Sequence, residues 1–337
     1  WQLRDLLFPR KGLLPGFSEI EVMMRLWMIF SPANLLFLAA AAGGILLPQA
    51  LFAAQALILP ALILMLTVTL LRFPRGFFRH PAALLPGALW GNFLNYMILG
   101  NLIILGSLFH IRDETLWIGM VLVAAVPPAV IAIPLGKNIG TAPLRLFSGL
   151  AGAHAGALLI IPLIGLAFLK YIPIGIDKIF LLALGLIALP LLLSRLAVDR
   201  DLDAGVEKYE SAVTNVCYTV IFYSLSAANA EAIRNWSAQI PLIAAIALGS
   251  LAVVIAAVIA VARLTGMPRD RWSFFLLLGS LKNYGLAGGI ALWIFGAEAA
   301  LPALIFSAVM LVYTTVLKMI WPPRPGIQTP AERESKI

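Results

Sequence analysis

The sequence predicts an all-α membrane protein: ten transmembrane helices in two inverted five-helix repeats, with interrupted fourth and ninth helices. Three observations carry the expectation. Of 337 residues, 61% are hydrophobic and 12% charged, against roughly 45–50% and about 25% in soluble chains. Many apolar runs reach the ~18–20 residues that span a bilayer. They are solidly apolar, whereas outer-membrane strands alternate polar and apolar positions. Finally, helix-weak segments recur at corresponding places in the two halves. A soluble enzyme, a disordered chain and a disulfide scaffold are excluded.

The net charge of +8 has an ordinary source in a membrane protein, cytoplasmic loops rich in Lys and Arg. No nucleic-acid partner is expected. Cys217 is the only cysteine, so an intrachain disulfide and a Cys-based metal cluster are excluded. The start at Trp1 shows no charged–apolar–cleavage pattern, and no signal peptide is expected.

Residues 1–32 read as an N-terminal cytoplasmic or interfacial segment. Its stretch from Glu19 to Phe30 has charges early and aromatics late, which suits a helix lying in the interface. The first repeat, 33–169, holds spans 33–48, 50–71, 82–109, 116–135 and 142–169. The second, 177–320, holds spans 177–194, 209–229, 239–262, 272–295 and 299–320. Residues 321–337 form a cytoplasmic tail. With both termini on one side, the loops and ends of that side carry 19 Lys and Arg and the other side carries 4. That bias places both termini in the cytoplasm and makes the chain a multi-pass protein of the inner (plasma) membrane. One basic residue is left over: Lys282, in the middle of the ninth span. All 16 acidic residues fall in loops or at span ends.

Ten spans divide into five plus five, and an odd number per half turns the second half upside down. The fourth span contains Ala125-Val126-Pro127-Pro128-Ala129, then Pro134 and Gly136. The ninth contains Gly279-Ser280-Leu281-Lys282-Asn283-Tyr284-Gly285. Pro removes a backbone donor and clashes with the previous turn, and Gly costs ~1 kcal/mol in a helix interior. Paired interruptions point to a midplane binding site, although Pro and Gly are also common in membrane helices generally. In the fifth span, Gly149, Gly152 and Gly156 permit close helix approach and read as packing around the broken fourth span.

At these residues the chain resembles the bile acid:sodium symporter family. Lys282-Asn283-Tyr284-Gly285-Leu286-Ala287 resembles the ninth-helix motif, which in sodium-coupled members reads Glu-x-Gly-x-Gln-Asn-x-Gly-Leu-Ala. Ala125-Val126-Pro127-Pro128 is similar to the family's fourth-helix breakpoint, and Trp90-Gly91-Asn92-Phe93 to its Gln-Phe element. The resemblance implies a core around crossed helices four and nine, and a panel of helices one, two, six and seven. Substrate would sit in the crevice between them. It also exposes departures. Lys282 stands where the family has Gln, and Leu278 where it has Glu, both sodium ligands. The Ser-Asn ligand pair falls near Ala132 and Ile133, and the hydroxyl ligands of the fifth helix near Leu146 and Leu150. Asn92 is the oxygen ligand that survives. Sodium needs several oxygen ligands, and an ammonium ~4 Å away repels it by ~4 kcal/mol at an effective dielectric of 20. Lys282 is therefore expected to replace sodium as a tethered cation.

A charge at the bilayer centre costs roughly 2.5–3.5 kcal/mol. Three roles for Lys282 offset that cost. It attracts an anionic substrate with help from a half-helix N-terminus, it titrates and carries a coupling proton, or it braces the crossing by donating to freed carbonyls. Asn283 suits a half-helix cap or a substrate contact, and Ser280 is the hydroxyl on the other side of the break. Asn92 and Asn95 either line the same site or join helices by hydrogen bonds. His154, in the fifth span, is a proton relay or a packed, hydrogen-bonded histidine. The candidate substrate and coupling residues are thus Lys282, Asn283, Ser280, Pro127, Pro128, Asn92, Asn95 and His154, with Gly279, Gly285 and Pro134 shaping the crossing backbone. The seventh span, with Thr214, Asn215, Tyr218, Tyr223, Ser224 and Ser226, is polar enough to line a wet crevice, and the Tyr and Ser near its end equally suit interface anchors.

No Walker loop, His-Glu-x-x-His or Cys-x-x-Cys spacing is present. Asp199-Arg200-Asp201-Leu202-Asp203 resembles the start of a calcium loop, with Glu210 at position twelve, but Ala204 replaces the turn glycine and a solvated loop is the better reading. The expectation is a non-enzymatic secondary transporter of small organic anions, in contact with the lipid bilayer, working by alternating access and without a cofactor. A homodimer is compatible with it. Sodium coupling is disfavoured and proton coupling allowed. Alternatives are an auxin-efflux-type carrier of the same plan, a sodium symporter with altered ligands, and a channel or sensor.

Overall fold

The structure is a computed structural model that describes residues 31–73, 76–79, 81–168, 176–202, 205–206 and 208–322. The interfacial segment expected before residue 31 and the tail from 323 lie outside the described residues. Every regular element among the described residues is helical. Seven segments are long and apolar enough to cross a membrane: Pro48–Leu70, Pro81–Leu108, Pro143–Phe168, Glu210–Ala228, Gln239–Leu264, Arg269–Ile294 and Ala297–Ile320. Pro32–Leu46 and Glu114–Ala125 are apolar but shorter. The chain is a multi-pass, all-α membrane protein.

In chain order the helices are α1 (Pro32–Leu46), α2 (Leu51–Leu70), α3 (Pro81–Asn92), a π-helical stretch Phe93–Gly100, α4 (Asn101–Leu108), α5 (Glu114–Ala125), α6 (Ala132–Ile139) and α7 (Pro143–Phe168). They continue as α8 (Ile176–Asp199), α9 (Glu210–Ala228), α10 (Ala230–Arg234), α11 (Gln239–Leu264), α12 (Arg269–Ser280), α13 (Tyr284–Ile294) and α14 (Ala297–Ile320). Local chemistry sets the ends. Ser31 accepts from the Asn34 N–H at 3.4 Å ahead of Pro32, and Asp113 accepts from the Leu116 N–H at 2.8 Å. Both are N-caps, which satisfy orphan donors of the first turn. Gly140, at φ 94°, closes α6 in the left-handed conformation that glycine adopts without strain.

The two expected interruptions are present. α5 stops at Val126, whose ψ of 151° is the extended conformation forced on a residue before proline. Pro127 and Pro128 then offer no N–H to continue the ladder. α12 stops at Leu281, extended at φ −106° and ψ 127°, and α13 restarts after Asn283. Of the most apolar 18-residue stretch of Arg269–Ile294, which contains this second break, 94% of residues are buried, against 22% for the corresponding stretch of Gln239–Leu264. The broken segment is therefore the centre of the molecule and α11 is at its lipid-facing edge.

Contacts at helix ends sort the elements by membrane face. Arg72, just past α2, pairs with Glu210 at the start of α9 at 2.7 Å. Arg195 of α8 donates to Leu70 O at 2.6 Å and Phe73 O at 2.9 Å. Arg145 of α7 pairs with Asp270 of α12 at 2.8 Å, and the rings of Trp272 and Trp321 are 5.9 Å apart. Asn34 of α1 bonds Thr315 of α14. The starts of α1, α7, α9 and α12 thus share a face with the ends of α2, α8 and α14. α1 and α2 both pack along α9, and α8 packs along α2 and α7.

The glycines of α7 do not serve the fourth span, as the sequence suggested. A Cβ on Gly152 would lie 2.2 Å from Ala88, and one on Gly156 1.8 Å from Asn92 Oδ1. Both allow α3 to approach. Gly149 makes room for Phe274 and Leu278 of α12.

Candidate functional site

The two breaks meet. The Asn283 N–H donates to Pro127 O at 2.8 Å, a main-chain bond from the α12–α13 gap to the α5–α6 gap. The carbonyl thereby exposed is used: proline ends the helix, and the opposite break supplies the donor. Lys282 sits in the same place with none of its surface exposed. Its Nζ donates to Ala124 O at 2.8 Å and to Val126 O at 2.9 Å. Those oxygens terminate α5, where unpaired carbonyls leave about half a negative charge. The side-chain amine caps that end.

Asn95 and Tyr96 complete the cluster. Asn95, wholly buried, donates from Nδ2 to Val126 O at 3.0 Å, and its Oδ1 is buried without a partner. Lys282 Nζ lies 5.0 Å from the Tyr96 ring centre, within the range of a cation–π contact. Tyr96 OH donates to Ala153 O at 2.7 Å, which fixes the ring against α7. Both residues lie in the π-helical stretch. It begins at Phe93, and both Asn95 and Tyr96 within it are buried, facing the crossing and α7.

Asn283 is 2% exposed. Its Oδ1 accepts from the Leu286 N–H at 3.1 Å, the N-cap geometry that the sequence allowed. Pro127 and Pro128 are buried in the opposing break. Gly285 faces α9, where a Cβ would lie 3.7 Å from the Tyr218 ring and from Ile221. Gly288 and Gly289 continue that surface against Leu225 of α9 and Ile58 and Leu62 of α2.

The other candidates lie elsewhere. Asn92 donates to Ala88 O and Gly152 O, both at 2.9 Å, so it ties α3 to α7. Ser280 points away from Lys282. Its hydroxyl donates to Leu276 O at 2.5 Å and meets Tyr313 OH at 3.0 Å, beside a cavity of about 10 Å³ with Ser250 and Tyr284. That volume holds about one water. His154 is a buried histidine of α7 with Nδ1 2.8 Å from Leu150 O and Nε2 unpartnered. Gly279 abuts Val254 of α11. Pro134 is the third residue of α6, in the turn whose N–H groups have no helical acceptor.

Sequence reasoning missed Tyr96. The signal was the pair Asn95-Tyr96, two hydrogen-bonding side chains in the middle of an apolar span. The π turn that orients them leaves no trace in a stretch apolar on nearly every side.

No family model matches the chain, and no curated protein matches it.

Proposed function

We propose that the chain is a ten-span secondary transporter of small organic anions, with a core and a panel as in the bile acid:sodium symporter family that its motifs resemble. α3–α7 with α11–α14 form the core, and α1, α2, α8 and α9 the panel. In this reading the ten spans are two inverted repeats, and the face where α1 begins is cytoplasmic. Rocking of the panel against the core exposes the crossing to each side in turn. The protein is a carrier and not an enzyme.

The observation that carries the proposal is Lys282 Nζ on Ala124 O and Val126 O. Carbonyls at broken-helix ends are where transporters hold a coupling cation. Here a covalently attached ammonium takes that position. A carrier with its cation built in has no need to bind sodium at that spot. The same charge, with the N-terminal ends of α6 and α13, favours an anionic solute near the crossing. Lys282 is enclosed in this conformation, so its attraction for a substrate acts through the field at the crossing and the contact follows opening.

The test is uptake by proteoliposomes of a panel of monocarboxylates, with and without sodium and with an imposed pH gradient. Uptake that ignores sodium, follows the pH gradient and is lost in Lys282→Ala supports the reading and adds a proton to the cycle. Sodium-driven uptake that survives in Lys282→Ala refutes it and leaves Lys282 as a brace.

A further inference from the structure

Between the crossing and the face where α1 begins lies an ordered series of contacts. Asn34, in the first turn of α1, donates from Nδ2 to Thr315 Oγ1 of α14 at 3.0 Å. The Thr315 hydroxyl spends its own proton on Leu311 O at 2.8 Å, so it is oriented to accept. Asn34 and Thr315 are 5% and 7% exposed. α1 packs chiefly along α9, and this bond reaches past that pair to α14. Three residues further along α1, the Phe37 ring stacks on Phe222 at 5.5 Å and meets Tyr218 edge-on at 5.4 Å. Tyr218 in turn lies against Gly285, at the start of α13. A polar tie, an aromatic plug and the helix break thus follow one another inward.

We propose that the Asn34–Thr315 hydrogen bond, backed by Phe37, Tyr218 and Phe222, is a latch that closes the crossing to the membrane face on which α1 begins. The physical case is that a bond between two side chains in an apolar setting is directional and breaks as a unit. The surface behind it is different. Gly285, Gly288 and Gly289 of α13 meet aliphatic and aromatic side chains of α2 and α9, contacts that slide without leaving a polar group unpaired. Separation of α1 and α9 from α12–α14 therefore has a discrete step on this face, release of the amide from the hydroxyl; the other polar tie, Gln55 of α2 to Leu292 O at 3.5 Å, lies at the far end of α13 and at the limit of hydrogen-bond length. The inference rests on the carrier reading, because it assumes that these two groups of helices move apart.

The experiment uses the single cysteine to advantage. In a Cys217→Ala background, Gly285→Cys is the reporter, since a Cβ there meets only ordinary contacts at 3.7 Å. A membrane-impermeant thiol reagent is applied to each face of oriented vesicles. Thr315→Val, which keeps the side-chain volume, and Asn34→Leu remove the bond separately. The latch predicts that each raises modification from the α1 face by roughly three- to twentyfold, the shift that one interhelical membrane hydrogen bond supports; alternating access adds a fall from the opposite face. Unchanged rates in both variants overturn the proposal. A rise on one face without a fall on the other upholds the latch and refutes alternating access, so the two ideas fail separately. As a second measurement, Asn34→Cys and Thr315→Cys are bridged before labelling by a short bis-methanethiosulfonate, which forms a reducible disulfide with each thiolate and releases methanesulfinate. Bridging blocks modification of the reporter from the α1 face and reduction restores it; modification that persists while bridged overturns the latch.

Discussion

Replacing Lys282 with Met removes the ammonium while keeping most of the stem, and the structure sets the size of the effect. Two hydrogen bonds are lost, but unequally. Val126 O keeps the Asn95 amide at 3.0 Å, whereas Ala124 O loses the donor that Lys282 supplied at 2.8 Å. One stranded carbonyl costs about 1–3 kcal/mol. The contact with the Tyr96 ring adds about 2 kcal/mol for a desolvated cation. Against these stands the return of roughly 2.5–3.5 kcal/mol for no longer placing a charge at membrane depth. The expected net loss is about 0–2 kcal/mol, small for a side chain with no exposed surface. The assay is reversible unfolding of Lys282→Met and wild type in one detergent, followed by tryptophan fluorescence. A loss above about 4 kcal/mol refutes the reasoning, because it makes the ammonium a net brace. A small loss means that Lys282 is kept for something other than stability.

Other consequences are read with simpler tools. Gly156→Ala places a methyl 1.8 Å from Asn92 Oδ1 between two packed helices, and is expected to cost ~1–3 kcal/mol or more; Gly285→Ala, with 3.7 Å of room, is expected to be near neutral, and parallel melts in detergent compare them. Asn283→Ala removes the α13 cap and is expected to lower stability by ~1 kcal/mol, with Asn283→Ser retaining most of it; full stability in the alanine variant contradicts the cap. Arg72→Gln and Glu210→Gln break a pair whose side chains are 35% and 10% exposed, so each is expected to cost no more than ~1 kcal/mol and the cost to shrink in high salt. Chemical denaturation at two ionic strengths decides it.

How much was legible follows from which forces act locally. The breaks at Pro127-Pro128 and around Lys282 were visible because proline and glycine act on their own backbone, whatever surrounds them. Lys282 stood out because a charge within an apolar run is costly anywhere. Its partners did not stand out, since Ala124 O and Val126 O are backbone atoms that any residue carries. The Asn92/Asn95 pair shows the limit most clearly. Three residues apart, they would share one face of an α-helix, but the π turn after Asn92 divides them, one to Gly152 of α7 and the other to the crossing. The glycines of α7 announced close packing without naming the partner, because any neighbouring helix satisfies a missing side chain. Ser280, one residue before the break, turned to Tyr313 for the same reason: sequence adjacency does not fix the direction in which a side chain points.

In the proposed carrier, Lys282 stands in for a coupling cation. Carboxylate counterflow in proteoliposomes tests it most directly, with sodium replaced throughout by N-methylglucamine and the wild type run beside Lys282→Met. Saturable counterflow of undiminished rate is expected from the wild type without sodium, and its loss in the variant. Counterflow that disappears from the wild type when sodium is removed, or that persists in Lys282→Met, would contradict it.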